Sequence, residues 1–142
     1  MRHGFDARMA GRQTITYLVS VIGEALRTIP LDILDLLLVA TVANFNYQHR
    51  KDPPGGARRQ AGTRHGISRN AVSRILNVPL ETVRRRVGVL ITQQILVEQP
   101  DGLVFVTENP MGLGEDDALY ARNLELLRDL FRGLKSDGID LD

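Results

Sequence analysis

Residues 67–87, ISRNAVSRILNVPLETVRRRV, restrict the fold more than any other stretch of this sequence. The apolar residues on both sides of Asn77-Val78-Pro79 follow helical spacing, which predicts two helices separated by a tight turn. Ser68 is a good N-cap for the first helix, and Asn77 tolerates the left-handed conformation that ends it. Pro79 fits the entry to the second helix, which we expect to run from about residue 80 to residue 93.

The second helix contains three consecutive arginines that fall on different sides of it. At about 100° per residue, one face is apolar and is predicted to contact the core: Val83, Val87 and Leu90. Arg85 lies on the opposite face, while Arg84 and Arg86 lie on opposite flanks. We therefore expect Arg84 and Arg85 to project outward and Arg86 to form a structural salt bridge. The alternative is that all three arginines are simply solvated.

A change of period follows the second helix. The β-prone runs 95–99 and 103–107 are joined by Pro100-Asp101-Gly102. Proline presets φ, aspartate caps the turn and glycine takes a positive φ, so these runs are predicted to form a hairpin.

The remaining segments flank this region. Residues 1–11 are predicted to be a flexible tail, residues 12–30 an N-terminal helix and residues 115–136 a C-terminal helix. Residues 31–108 are expected to form one domain, whose first helix is apolar nearly all round and therefore central to the core. Within it, residues 51–66 contain two prolines, four glycines and four basic residues, which predicts a flexible basic loop. A solvated linker without a binding role is the alternative for this loop.

Charge is distributed unevenly along the 142 residues, although the net charge is only +1. Residues 51–86 carry nine basic and two acidic residues, whereas residues 87–142 carry four basic and eleven acidic ones. The charges close to a site decide whether it binds phosphate, because salt screens electrostatic interactions beyond roughly 8 Å. The absence of cysteine excludes disulfides, thiolate metal sites and thiol nucleophiles. No apolar run approaches the roughly 20 residues that span a bilayer, so we expect a cytoplasmic protein.

The order core helix, short helix, turn, second helix and hairpin is that of a winged helix-turn-helix. The expected fold class is therefore mainly α with a small β-hairpin wing and flanking N- and C-terminal helices. Residues 67–107 resemble winged-helix transcription regulators of the multiple-antibiotic-resistance (MarR) and IclR types. The residues that carry this resemblance are Asn77, Thr82-Val83, Arg85, Leu90 and Ile95-Leu96. The chain departs from the family pattern at Gln94, where a glycine is usual, and in a hairpin turn without basic residues.

The resemblance implies a sequence-specific, DNA-binding transcriptional regulator whose recognition helix, at about 80–93, enters the major groove of double-stranded DNA. One of Arg84 and Arg85 is expected to donate two hydrogen bonds to guanine O6 and N7, and the other to contact phosphate. The candidate DNA-binding residues are Ser68, Arg69, Glu81, Thr82, Arg84, Arg85 and Gly88. The candidate phosphate contacts are Arg58, Arg59, Arg64 and Arg74. A homodimer that uses the N- and C-terminal helices is expected, because two copies double the DNA site.

The sequence leaves two other classes of function to consider. A winged-helix protein–protein interaction module without DNA binding would fit the acidic hairpin turn and C-terminal part. An enzyme is disfavoured, because His3, His49 and His65 show neither metal-ligand spacing nor a paired nucleophile. We expect no metal and no cofactor. A small-molecule effector stays open, with four aromatic residues as candidates to line a pocket: Tyr17, Phe45, Tyr47 and Tyr120.

Overall fold

The computed structural model describes residues 2–48, 65–106 and 118–141, which belong to two compact units. The described residues are mainly helical, with one small antiparallel hairpin. This confirms the expected mainly α composition with a β-hairpin. The first unit contains α1 (Arg2–Thr28) and α5 (Ala118–Ser136). The second contains α2 (Ile33–Gln48), α3 (Arg69–Leu76), α4 (Leu80–Thr92), β1 (Leu96–Gln99) and β2 (Gly102–Phe105).

In the first unit, α1 begins at Arg2, so residues 2–11, which were predicted to be a flexible tail before a helix that starts at residue 12, are helical. Once a helix is nucleated, each further residue adds one hydrogen bond, and the segment 7–10 consists of good helix formers. Gln13 of α1 donates to Asp137 just beyond α5 (2.9 Å), and Glu24 of α1 pairs with Arg122 near the start of α5 (3.5 Å). The two helices therefore pack antiparallel.

In the second unit, α2 supplies the centre of the core. Its N-terminus is capped by Asp32, whose carboxylate accepts a hydrogen bond from the Asp35 N–H at 2.9 Å. Leu38, Val39 and Val42 are fully buried, which confirms the prediction of a core helix. They pack with buried residues of the other elements of this unit: Ile67, Val72, Val83, Val87, Leu90, Leu96, Leu103 and Phe105.

The predicted turn between α3 and α4 is present. The Ser68 hydroxyl accepts from the Ala71 N–H at 3.1 Å, so Ser68 is the N-cap of α3. Asn77 ends α3 in the left-handed conformation (φ 54°), as predicted. Val72 is buried, but Ile75, which helical spacing from Val72 also places toward the core, is 61% exposed. A helix of eight residues contacts the core through a narrow arc, and Ile75 lies outside the arc around Val72.

The apolar face of α4 is the predicted one, because Val83, Val87 and Leu90 are all fully buried. After this helix the chain turns at Gln94, which has a positive φ of 62°. The Ile95 N–H then donates to the Leu90 carbonyl at 2.9 Å and leads the chain into β1.

The hairpin has the predicted turn, with slightly shorter strands. Leu96 pairs with Phe105 and Gln99 with Gly102, and Gly102 has a φ of 135°. A feature absent from the sequence prediction is a bridge between Ile67 and Leu103, with backbone hydrogen bonds in both directions (3.1 and 2.8 Å). It attaches the segment before α3 to β2.

Several predictions concern parts of the chain outside the described residues. The basic loop at 51–66 is described only at His65 and Gly66, and the acidic start of the C-terminal helix, residues 115–117, is not described. Among the described residues, no helix is both long and apolar enough to cross a membrane.

Candidate nucleic-acid interface

The outward face of α4 presents two exposed arginines, as the sequence predicted. Arg84 lies 3.6 Å from the carboxylate of Glu81 one turn earlier, and both side chains are largely exposed. Exposed ion pairs of this kind are weak, so Glu81 does not hold Arg84 firmly. Arg85 has neither an ion pair nor a side-chain hydrogen bond within the described parts of the chain. The residue is exposed, and its guanidinium has five N–H donors that a ligand can use.

Thr82 and Gly88 lie on the same helix as these arginines. Thr82 is half-buried, and Gly88 is exposed. A Cβ atom added at Gly88 would meet no atom within 4 Å, so packing among the described residues does not require glycine there. The missing side chain leaves this face open to the close approach of another molecule.

Arg86 has a different role from its two neighbours. Its guanidinium is hydrogen-bonded to the carboxylate of Asp32 and lies 3.4 Å from that of Asp35. The backbone N–H of Asp35 and then Arg86 lower the pKa of Asp32, and Asp32 in turn raises the pKa of Arg86. Arg86 thus ties α4 to the start of α2, which confirms the structural salt bridge expected for it.

Ser68 and Arg69, two further candidates, are engaged inside the second unit. The Ser68 hydroxyl is used as the cap of α3. Arg69 donates through both terminal nitrogens to the two carboxylate oxygens of Glu98 on β1, at 2.6 and 3.3 Å. Sequence reasoning missed this pair, because the only signal was opposite charge at positions that no helical or strand period connects.

An open cleft separates the start of α3 from the hairpin turn. It is lined by Ile67, Ser68, Arg69, Asn70, Arg84, Glu98, Gln99, Pro100, Asp101 and Gly102. The Asp101 carboxylate accepts from the Gly66 N–H at 2.9 Å, which fixes the turn against the segment before α3. The cleft therefore combines two guanidinium groups with two carboxylates, of which Glu98 faces Arg69 directly.

The remaining basic candidates divide into two sets. Arg74 is exposed in the last turn of α3 and has no ion-pair partner among the described residues. Arg58, Arg59 and Arg64 lie outside the described residues. The structure thus brings Arg69 and Arg84 to one cleft, with Arg85 following Arg84 on α4.

One buried polar residue organises this unit and was also missed by sequence reasoning. Asn46 of α2 is almost fully buried, and its amide donates to the carbonyls of His65 (2.6 Å) and Leu103 (3.2 Å). Its side-chain oxygen accepts from the Phe105 N–H at 3.2 Å. Asn46 therefore fixes β2 and the approach to α3 against the core helix.

Comparison with protein-family models, curated proteins and solved structures gave no match to this chain. The described residues include no cluster of three or more His, Asp or Glu side chains suited to a metal ion.

The four aromatic candidates for an effector pocket are divided between the two units. Tyr17 donates to Asn123 at 2.6 Å and lines a cleft between α1 and α5 within the first unit. Phe45 packs against the core of the second unit, while Tyr47 and Tyr120 are exposed.

Proposed function

We propose that this chain is a sequence-specific, DNA-binding transcriptional regulator that uses the second unit as a winged helix-turn-helix reader. The observation that carries the proposal is the division of α4 into a fully buried apolar face and an exposed face bearing Arg84, Arg85 and a bare Gly88. A helix that enters the major groove needs this division, because its inner face holds it on the domain while its outer face reads bases.

In this proposal Arg85 forks onto guanine O6 and N7, since its guanidinium has no competing partner among the described residues. Arg84 contacts a neighbouring phosphate, and Glu81 and Thr82 lie at the N-terminal end of the helix, which enters the groove first. Gly88 permits close approach of the duplex. Arg74 and the basic loop residues Arg58, Arg59 and Arg64 add phosphate contacts, which position the protein without specifying sequence.

A homodimer is part of the proposal, because both helices of the first unit carry exposed apolar residues at helical spacing. On α1 these include Ile15 and Val19, which are 62% and 67% exposed. On α5 they are Tyr120, Leu124 and Phe131. Other apolar residues of these helices, such as Ala25, Leu126 and Leu134, are buried, whereas the exposed apolar stripes are available for a second copy. Such a regulator acts on DNA in the cytoplasm and needs no catalysis.

The second candidate function is a winged-helix interaction module that binds another protein and not DNA. The observation in its favour is the hairpin turn, which carries Glu98 and Asp101 and no basic residue. A hairpin that follows a phosphate backbone normally needs positive charge.

DNA selection separates the two functions. The full chain is used to select duplexes from a random pool, and a selected duplex and a scrambled one are then titrated at about 50 and 200 mM salt. We expect preference for the selected duplex by a factor of about 10³ or more, and weaker binding at the higher salt. The double substitution Arg84→Ala and Arg85→Ala should remove most of that preference. If no duplex binds at low salt, or if the double variant binds as the wild type does, the reader proposal fails.

A further inference from the structure

Arg69 and Glu98 form an ion pair on the surface of the second unit in which both carboxylate oxygens accept hydrogen bonds from the guanidinium. Two parallel N–H···O bonds, at 2.6 and 3.3 Å, join the guanidinium fork to both carboxylate oxygens. The Arg69 side chain is 27% exposed and that of Glu98 is 55% exposed, so solvent and ligands reach the pair. Arg69 lowers the pKa of Glu98, mainly through the side-chain hydrogen bond, and the carboxylate is therefore charged near neutral pH.

The pair lies in the cleft that also receives Arg84 of α4. A phosphate bound in this cleft would lie among lining residues that include both Arg84 and Arg69. Glu98 already occupies that guanidinium in the bidentate manner in which arginine binds phosphate. Asp101, the other carboxylate of the cleft, is hydrogen-bonded to the Gly66 N–H and leaves Glu98 as the group that neutralises Arg69.

The pair is not needed to hold the hairpin in place. Ile67 and Leu103 exchange two backbone hydrogen bonds, and Asp101 accepts from Gly66. Asn46 of the core helix holds β2 at Leu103 and at Phe105. These contacts position the hairpin against α2 and the approach to α3 without Arg69, and an exposed ion pair adds little to stability.

We propose that Glu98 is a built-in competitor of DNA phosphate, and that Arg69 exchanges from Glu98 to a phosphate oxygen when a duplex binds. The inference rests on the proposed DNA-binding function and adds to it a residue that sets affinity and salt dependence. In the free protein the pair has no net charge. After the exchange, the unpaired Glu98 carboxylate recruits a cation from solution. This uptake offsets the cation that Arg69 releases from the phosphate, so the exchange adds little to the salt dependence of binding.

The test is a double-mutant cycle on the full chain with a selected duplex at about 50 and 200 mM salt. The four proteins are wild type, Glu98→Gln, Arg69→Gln and the double variant, and Asp101→Asn is the matched control for charge on the hairpin. Glu98→Gln is expected to bind several-fold more tightly at the lower salt. Without the Glu98 carboxylate no counterion is recruited to offset the one that Arg69 releases, so log K should depend on log salt more steeply by about 0.9 and the gain should shrink by about 3.5-fold at the higher salt. Thermal unfolding of each variant verifies that the fold is intact.

Replacing Glu98 in the presence and in the absence of Arg69 distinguishes the exchange of Arg69 onto phosphate from simple repulsion between Glu98 and phosphate. With Arg69 present, the gain from Glu98→Gln should be at least about threefold larger than in the Arg69→Gln background, because only a free guanidinium makes a direct contact. Equal gains in both backgrounds, a gain as large from Asp101→Asn, or weaker binding by Glu98→Gln would each overturn the inference. The DNA-binding function would still stand if wild type bound the selected duplex through Arg85. Failure of all four proteins to bind any duplex would overturn both.

Discussion

The guanidinium of Arg86 is hydrogen-bonded to the carboxylate of Asp32, the same carboxylate that caps the first turn of α2. Asp32 therefore contacts both the first turn of α2 and one flank of α4. The buried face formed by Val83, Val87 and Leu90 sets the rotation of α4, so Arg86 lies on its flank and Arg84 and Arg85 lie outward. The arginine run therefore combines one structural residue with two candidate contact residues.

This pair predicts a loss of stability in acid. The pKa of Asp32 in the folded protein lies below its ordinary value of 3.8, because the Asp35 N–H and Arg86 stabilise the carboxylate. The ionised form therefore stabilises the fold above about pH 4, and this contribution is lost as the pH falls through the folded-state pKa. Asp32→Asn keeps a capping oxygen but not the charge, so it should be less stable than wild type at pH 7.

Urea unfolding at several pH values tests this prediction. The difference in free energy of unfolding between wild type and Asp32→Asn should narrow steadily below about pH 4. Glu81→Gln, at an exposed position on α4, is the control for the loss of one carboxylate and should change the free energy of unfolding little at pH 7. A constant difference between wild type and Asp32→Asn from about pH 7 to about pH 3 would contradict the proposed role of the carboxylate.

Asn46 should be the most sensitive polar position among the described residues of the second unit. Asn46→Ala leaves the Phe105 N–H and two carbonyls without their side-chain partner in a buried site. We expect a loss of about 2–4 kcal/mol in the free energy of unfolding, measured by chemical denaturation. The exposed Asn70→Ala on α3 should change it by less than about 0.5 kcal/mol. Similar small effects at both positions would show that the Asn46 network contributes little.

The backbone at Gln94 offers a stabilising substitution. Gln94 has a φ of 62°, a conformation that costs a non-glycine residue about 1–2 kcal/mol. Glycine removes this strain, but the greater freedom of the unfolded chain lowers the free energy of unfolding by about 0.5–1 kcal/mol. Gln94→Gly should therefore raise the free energy of unfolding by about 0.5–1 kcal/mol, as measured by urea titration. Thr92→Gly, in the last turn of α4, should lower it instead.

The helices and the turn of the second unit were predictable because their signals are local. Ser68 and Asn77 act at the ends of a single helix, and Val83, Val87 and Leu90 follow one helical period, so neighbouring residues suffice to place them. The turn of the hairpin and the positive φ of its glycine follow in the same way from Pro100-Asp101-Gly102.

The contacts that the sequence did not reveal join residues far apart in the chain. Asn46 and Leu103, Ile67 and Leu103, and Arg69 and Glu98 meet only after the core has assembled, and no period relates their positions. The outward position of Ile75 was missed for a related reason. Its helical phase is close to that of Val72, and only the packing of neighbouring elements decides how wide the buried arc is.

Dimer formation can be tested on the first unit. Val19→Glu places a charge in the exposed apolar stripe of α1, where burial against a second copy would be strongly unfavourable. By light scattering at micromolar concentration, we expect wild type to be a dimer and Val19→Glu to shift toward monomer. Thr14→Glu, an exposed polar position of α1 outside that stripe, should leave the dimer intact. A wild-type monomer, both alone and on DNA, would contradict the dimer proposal.

The central claim is that Arg85 reads a base, and its most direct measurement is the affinity of wild type and Arg85→Ala for a selected duplex and its single-base variants. If Arg85 binds guanine, the substitution should weaken binding to the selected duplex by about 1–3 kcal/mol and remove the preference at one base pair while other positions keep theirs. Arg128→Ala, an exposed arginine of α5, is the matched control for loss of one positive charge. Arg85→Ala binding that equals wild type across the whole panel would contradict the account.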